Sequence, residues 1–171
     1  MQMTPPSLIV DRRSGPLLRW ASGAARCAIG RGGVGVKQRE GDGITPLGIY
    51  PLRTILYRAD RGPPPSGGLG AQPLSPDDGW CDAPGDPLYN RPVKHPYPAS
   101  AEKMWRDDLI YDVVVVIGFN DDPVKDGAGS AIFLHVARED YAPTEGCVAL
   151  ALPDLRKALA DLKPGATIEI R

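Results

Sequence analysis

Apolar positions in this chain come in short bursts separated by glycine, proline and charge, and few of them recur at helical spacing. Ser7 to Asp11 and Leu17 to Trp20 carry β-branched and aromatic residues on either side of turn formers at Arg12 to Gly15, and so predict a hairpin. Ala24 to Ile29 predicts a third strand, and Gly48 to Leu56 a fourth in which Pro51 implies a sheet edge or a bulge. The most apolar part follows as Ile110 to Phe119, Ala131 to Val136 and Cys147 to Leu152, three runs divided by turns, which is the signature of a sheet core. Ala166 to Ile170 closes the series.

Two short helices are expected beside these eight or so strands. Ser100 reads as an N-cap for a helix to about Asp107, with Glu102 in its first turn. Pro153 suits a first helical turn, and Leu155, Ala158, Leu159 and Leu162 form a stripe that ends at Pro164-Gly165. Residues 59–99 are rich in glycine and proline and show little periodicity, which predicts a functional loop or lid.

A length of 171 residues with 42% apolar content suits one domain, 1–171, with its own core. The 20 glycines and 19 prolines are interleaved with apolar runs, so loop-rich β structure is expected rather than disorder. A formal charge of −1, with both signs mixed along the chain, disfavours nucleic acid or anionic lipid as a partner. Apolar runs are too short for a membrane span, and the start, Met1-Gln-Met-Thr-Pro-Pro, has no basic segment followed by an apolar one, so no export signal is expected.

Gly30-Arg-Gly-Gly-Val-Gly35 fits Gly-x-Gly-x-x-Gly, the pattern of a dinucleotide site. That site requires a helix to begin inside the glycines, whereas Gly41, Gly43 and Pro46 follow here, and no βα alternation exists. Lys37 is likewise outside any P-loop spacing. These are loop glycines.

The chemistry concentrates in Gly129 to Leu150. Three cysteines, Cys27, Cys81 and Cys147, make no Cys-x-x-Cys pair and leave at least one free thiol. Cys27 lies in an apolar run and reads as a buried hydrophobe. A cysteine attacks an acyl carbon as its thiolate, and therefore needs an imidazole to take its proton and backbone N–H groups to hold the oxyanion. Of the two histidines, His95 sits in an irregular loop, while His135 ends an apolar strand and Cys147 begins the next. The connection lets those strands lie side by side, with both side chains at one end. Gly146 lets backbone approach the substrate.

At these residues the chain resembles the catalytic domain of the L,D-transpeptidase family, the YkuD type. His135 matches the family's base, Thr144 its hydroxyl position, Gly146 its glycine and Cys147 its nucleophile. Gly41-Asp-Gly-Ile-Thr-Pro-Leu-Gly-Ile-Tyr-Pro51 is similar to a second family stretch, Thr-Pro-x-Gly-x-Tyr/Phe. Glu145 stands where many members carry histidine, Ala149 where many carry arginine, and the 12-residue step from His135 to Cys147 is short. With Tyr89-Asn-Arg-Pro, Tyr97, Ser100, Glu102 and Trp105, the sequence resembles a proteobacterial branch in which Pro-Thr-Glu-Gly-Cys is the usual motif.

The resemblance implies a mainly β fold, a sandwich or barrel-like sheet with two short helices and a long Gly/Pro-rich loop. It implies acyl transfer through a thioester on peptidoglycan stem peptides, with Cys147 as nucleophile, His135 as base and the Gly146 and Cys147 amides at the oxyanion. Thr144 and Glu145 are expected to support the site, and Asn90, Arg91, Tyr97 and Trp105 to bind substrate. Glu145 either orients a cationic acceptor or is only solvated. No metal or cofactor is called for, carbapenems are expected to acylate the thiol, and the substrate points to the cell envelope. An L,D-carboxypeptidase and a non-catalytic peptidoglycan-binding domain stay open as alternatives.

Overall fold

Strand β11 (Val113–Ile117) is apolar at every position because both of its faces are covered. Side chains alternate across a strand, so Val113, Val115 and Ile117 point to one core while Val114 and Val116 point to another. The first core fills the inside of a curved sheet and the second lies under a smaller one. A computed structural model describes residues 6–171, and the reading of the chain's start at Met1 to Pro5 lies outside them.

The large sheet joins strands from both ends of the chain. Its elements are β1 (Leu8–Asp11), β2 (Leu17–Trp20), β3 (Gly23–Arg26), β6 (Gly48–Tyr57), β7 (Ala71–Pro73), β11, β12 (Phe133–Val136), β13 (Val148–Leu150) and β14 (Thr167–Ile170). The order is β13-β12-β11-β6-β14-β1-β2-β3, with β7 added beside β6. Its two ends meet where Ala28, just beyond β3, and Ala149 exchange N–H···O bonds of 2.8 and 2.9 Å, which nearly closes the sheet into a barrel. Inside are Leu8, Val10, Leu18, Ile55, Leu134 and Ile168. Helix α1 (Leu152–Ala160), with proline in its first turn as expected, adds Leu155, Ala158 and Leu159 to this core.

Pro51 sits in an interior strand, since β6 lies between β11 and β14, so the edge alternative fails. The bulge alternative is close to what occurs. Register between β6 and β11 shifts from Val115↔Ile55 to Ile117↔Leu52, which leaves one extra residue on β6.

Two expectations are corrected. The segment Ser100 to Asp107 contains no helix, because Ala101–Lys103 is strand β10, paired antiparallel with β8 (Asp78–Cys81). The Ser100 hydroxyl, instead of capping a helix, donates to Asp82 at 2.6 Å. Local capping preference is worth about 1 kcal/mol, and a strand ladder with burial of Met104 outweighs it. Secondly, the stretch 59–99 holds β7, β8 and β9 (Pro92–Lys94). Strands β10-β8-β9 form the small sheet that covers the outer face of β11 and β12 through Trp80, Met104 and Leu74. Trp80 meets Phe133 edge to face at 5.1 Å between centroids.

The glycine-rich segment contains β4 (Val34–Gly35) and β5 (Thr45–Pro46), a two-strand parallel pair. It begins no helix, so the dinucleotide reading stays excluded.

Candidate active site

Strands β12 and β13 run parallel with His135 opposite Ala149. Alternation sends Leu134, Val148 and Leu150 into the barrel and turns Phe133, His135, Cys147 and Ala149 outward, toward the small sheet. The strand register thus puts His135 and Cys147 on one face, where both line a cavity of about 500 Å³ with Tyr111, Glu102, Arg106 and Thr144. That volume suits a ligand of a few residues.

Each of the two side chains is held by backbone. The Cys147 Sγ accepts the Phe133 N–H at 3.4 Å and donates to the Ala131 carbonyl at 3.3 Å. Ala131 takes a left-handed φ of 53°, and its N–H is held by Asn90 Oδ1 at 3.1 Å. The His135 Nδ1 lies 2.9 Å from the Val136 carbonyl, which can only accept, so Nδ1 carries the hydrogen and Nε2 keeps a free lone pair. Tyr111 packs its ring against the imidazole at 5.3 Å and 72°.

Glycine is required at the turn before the thiol. Gly146 has φ 137°, and a Cβ there would sit 2.9 Å from the Ile44 carbonyl. Gly30 packs against it, and a Cβ on Gly30 would fall 2.1 Å from Gly43 O. The segment that presses on this turn is the one similar to the second family stretch. It is pinned by a buried ion pair, Lys37 Nζ to Asp42 at 2.6 Å, with Lys37 also donating to Ile44 O at 3.3 Å. Three backbone N–H groups, of Gln38, Arg39 and Ile44, complete the Asp42 carboxylate. Thr45 Oγ1 accepts the Gly30 N–H at 2.8 Å.

The protonation states follow from burial. Burial pushes the Cys147 thiol up to about 12, and the charge of Glu102 adds to the effect. Burial brings His135 down to about 4 against the opposing hydrogen bond to Val136. Near neutral pH the resting pair is a thiol and a neutral imidazole, and no hydrogen bond joins them among the described residues.

Thr144 stands in the turn, its hydroxyl donating to the Cys147 carbonyl at 2.6 Å and accepting the Gly146 N–H at 3.1 Å. The Gly146 amide expected at the oxyanion is thus engaged by Thr144, while the Cys147 N–H makes no hydrogen bond among the described residues. Glu145 lines the cavity mouth and pairs with Arg31 at 2.9 Å, an exposed contact worth little in stability.

The four expected substrate-binding residues do not gather around the thiol. Asn90 is buried with φ 57° and fully committed: it accepts from Trp80 and Ala131 and donates to the Phe119 and Asn120 carbonyls. Arg91 lines a separate cavity of about 360 Å³ on the far side of Phe133 and donates to the Asp121 carbonyl. Tyr97 donates to Asp86 at 2.7 Å, and Trp105 lies under the Arg58 guanidinium at 3.6 Å. In their place the cavity holds Glu102, Tyr111, Arg106 and Lys37. Glu102 is legible in the sequence only as part of a helix that does not form; its place in the cavity depends on the small sheet, and that of Lys37 on the glycine-rich segment.

Comparison with known proteins supplies the family. The family model for YkuD, the L,D-transpeptidase catalytic domain, matches residues 5–170. The chain belongs to the YkuD family of L,D-transpeptidase catalytic domains. A search of curated proteins returns no match. As a YkuD domain the chain has the mainly β, nearly closed sheet expected of it. Ala149 faces the cavity beside His135, and Arg106 and Arg138 line the same cavity.

Proposed function

We propose that this YkuD domain is a peptidoglycan L,D-transpeptidase that passes the acyl group of a tetrapeptide stem, through a Cys147 thioester, to an amine of a second stem peptide. The observation that carries this reading is the register of β12 on β13, which turns His135 and Cys147 outward into one cavity beside a free backbone N–H. Family membership supports the reaction class.

In the first step Sγ attacks the carbonyl carbon of the third stem residue as the thiol proton passes to His135 Nε2. The Cys147 N–H donates to the developing oxyanion, which is worth about 3 kcal/mol for one well-placed donor. The carbon–nitrogen bond then breaks, and D-alanine leaves as its amine takes the proton from Nε2. In the second step the acceptor amine loses a proton to Nε2 and attacks the thioester, and the proton returns to sulfur. A neutral imidazole at rest suits both steps, since each begins with His135 accepting.

Mass spectrometry of products from purified tetrapeptide muropeptides tests the reading. Cross-linked dimers are expected. Tripeptide alone would make water the acceptor and the enzyme a carboxypeptidase, and unchanged tetrapeptide would leave only a binding domain.

A further inference from the structure

Glu102 is the group in the cavity whose chemistry remains unused. It stands on β10, where pairing with Trp80 across the small sheet places it beside the Cys147 face. Its Oε1 accepts the Tyr111 hydroxyl, and Oε2 makes no hydrogen bond among the described residues. Burial raises its carboxyl against that hydrogen bond. Two further carboxylates, Glu40 and Asp82, line the same cavity, and they accept only hydroxyls, from Tyr89 and Ser130 and from Ser100. The cations of the cavity are paired elsewhere, Lys37 to Asp42 and both Arg106 and Arg138 to Asp108, so that Arg106 acts on Glu102 only through its field, which offsets part of the burial.

A half-buried carboxylate with an open oxygen and no cation hydrogen-bonded to it is costly until one reaches it. The same charge opposes ionisation of the neighbouring thiol. We propose that Glu102, backed by Tyr111, docks an ammonium group on the side chain of the donor peptide, and that filling this position makes Cys147 reactive. The proposal rests on the transpeptidase reading for its donor. It places the ammonium on the donor because an acceptor amine must be uncharged to attack. The ligand class is a peptide whose acylating residue bears a primary ammonium on a flexible side chain, and the ammonium offsets the charge that otherwise disfavours the thiolate.

Two arms test this on the full chain. In the first, acyl-enzyme formation is followed by intact mass with two donor peptides that differ only in lysine or norleucine at the acylating residue. Wild type is expected to prefer the lysine peptide by roughly tenfold to a hundredfold, the range of one hydrogen bond to a charged group, and Glu102→Gln to lose the preference. In the second, Cys147 is alkylated by iodoacetamide and quantified by peptide mapping, with lysine amide or norleucine amide added. Lysine amide alone is expected to accelerate alkylation of wild type, and neither to affect Glu102→Gln, which by itself should react faster than wild type. A cooperative thermal melt of Glu102→Gln with a midpoint near that of wild type guards against a folding defect in that variant. A lysine preference that survives in Glu102→Gln, or lysine amide without effect on wild type, overturns the proposal. Failure of wild type to acylate with either peptide counts against the transpeptidase reading, and the alkylation arm still decides the role of Glu102.

Discussion

The thiol of Cys147 gives its hydrogen to the carbonyl oxygen of Ala131, 3.3 Å away, and not to His135. The nucleophile is thus parked on backbone in a buried, neutral form. In the proposed acyl transfer a substrate would have to displace that contact before the thiol reacts.

Carbapenem acylation is expected at Cys147. Cys27 is buried in the barrel with its thiol also held up to about 12 and lies outside the cavity of Cys147, so an adduct there would remove Cys147 from its role. Because His135 is neutral down to about 4, the second-order rate of acylation should stay level from pH 7 to near 5 and fall only toward pH 4. His135→Ala should lower the rate at pH 7 by at least about a hundredfold, the usual worth of a general base. An unchanged rate would clear His135 of that task.

Stability should respond to acid through the same residue. His135 lies below its ordinary value of 6.5, so its contribution is complete above about pH 6.5 and is lost as pH falls through 4. The loss is on the order of 3 kcal/mol. Urea unfolding of wild type and His135→Gln from pH 7 to 4 should show the gap between them narrowing by about that amount in favour of the variant. Parallel curves would show that the imidazole is not buried neutral.

Gly146→Ala should cost about 1–3 kcal/mol from the left-handed backbone alone. The added Cβ also has to move the Ile44 carbonyl, 2.9 Å away. A thermal melt and the carbapenem reaction should therefore both suffer, acylation by roughly tenfold or more. Retained rate in a stable variant would mean that the turn tolerates a second geometry.

Lys37→Met leaves Asp42 buried without its cation and is expected to cost about 3 kcal/mol or more. The double change Lys37→Met, Asp42→Asn should recover part of this, since an unpaired charge is the larger fault. Denaturant midpoints of the three proteins check it, and a double variant less stable than Lys37→Met would refute the account.

Asn90→Ala and Tyr97→Phe separate support from surface. The first unpartners the Trp80 indole and the Ala131 N–H, with an expected loss of about 2–4 kcal/mol and slower acylation through a displaced Ala131. The second removes one hydrogen bond to Asp86, away from the cavity, and should leave acylation within about twofold. Equal effects of the two on acylation would contradict the placement of Asn90.

Sequence alone determined the strands with strong patterns, the Pro153 helix, the placement of His135 and Cys147 at neighbouring strands and the resemblance to YkuD domains. Those features are local. An apolar run of five residues between turns reads as a strand wherever its partners lie, and a glycine before a cysteine marks backbone exposure by itself. Strands of two to four residues such as β7 to β10 carry no such pattern, since each is stable only through a ladder supplied from elsewhere. Tertiary structure therefore decided that residues 59–99 supply strands β7, β8 and β9 rather than a lid, that Asn90 and Trp105 brace the scaffold, and that Glu102 and Tyr111 line the cavity of the thiol. It also decided the protonation of the pair, because burial, which no residue pattern encodes, moves a thiol and an imidazole in opposite directions and leaves both uncharged.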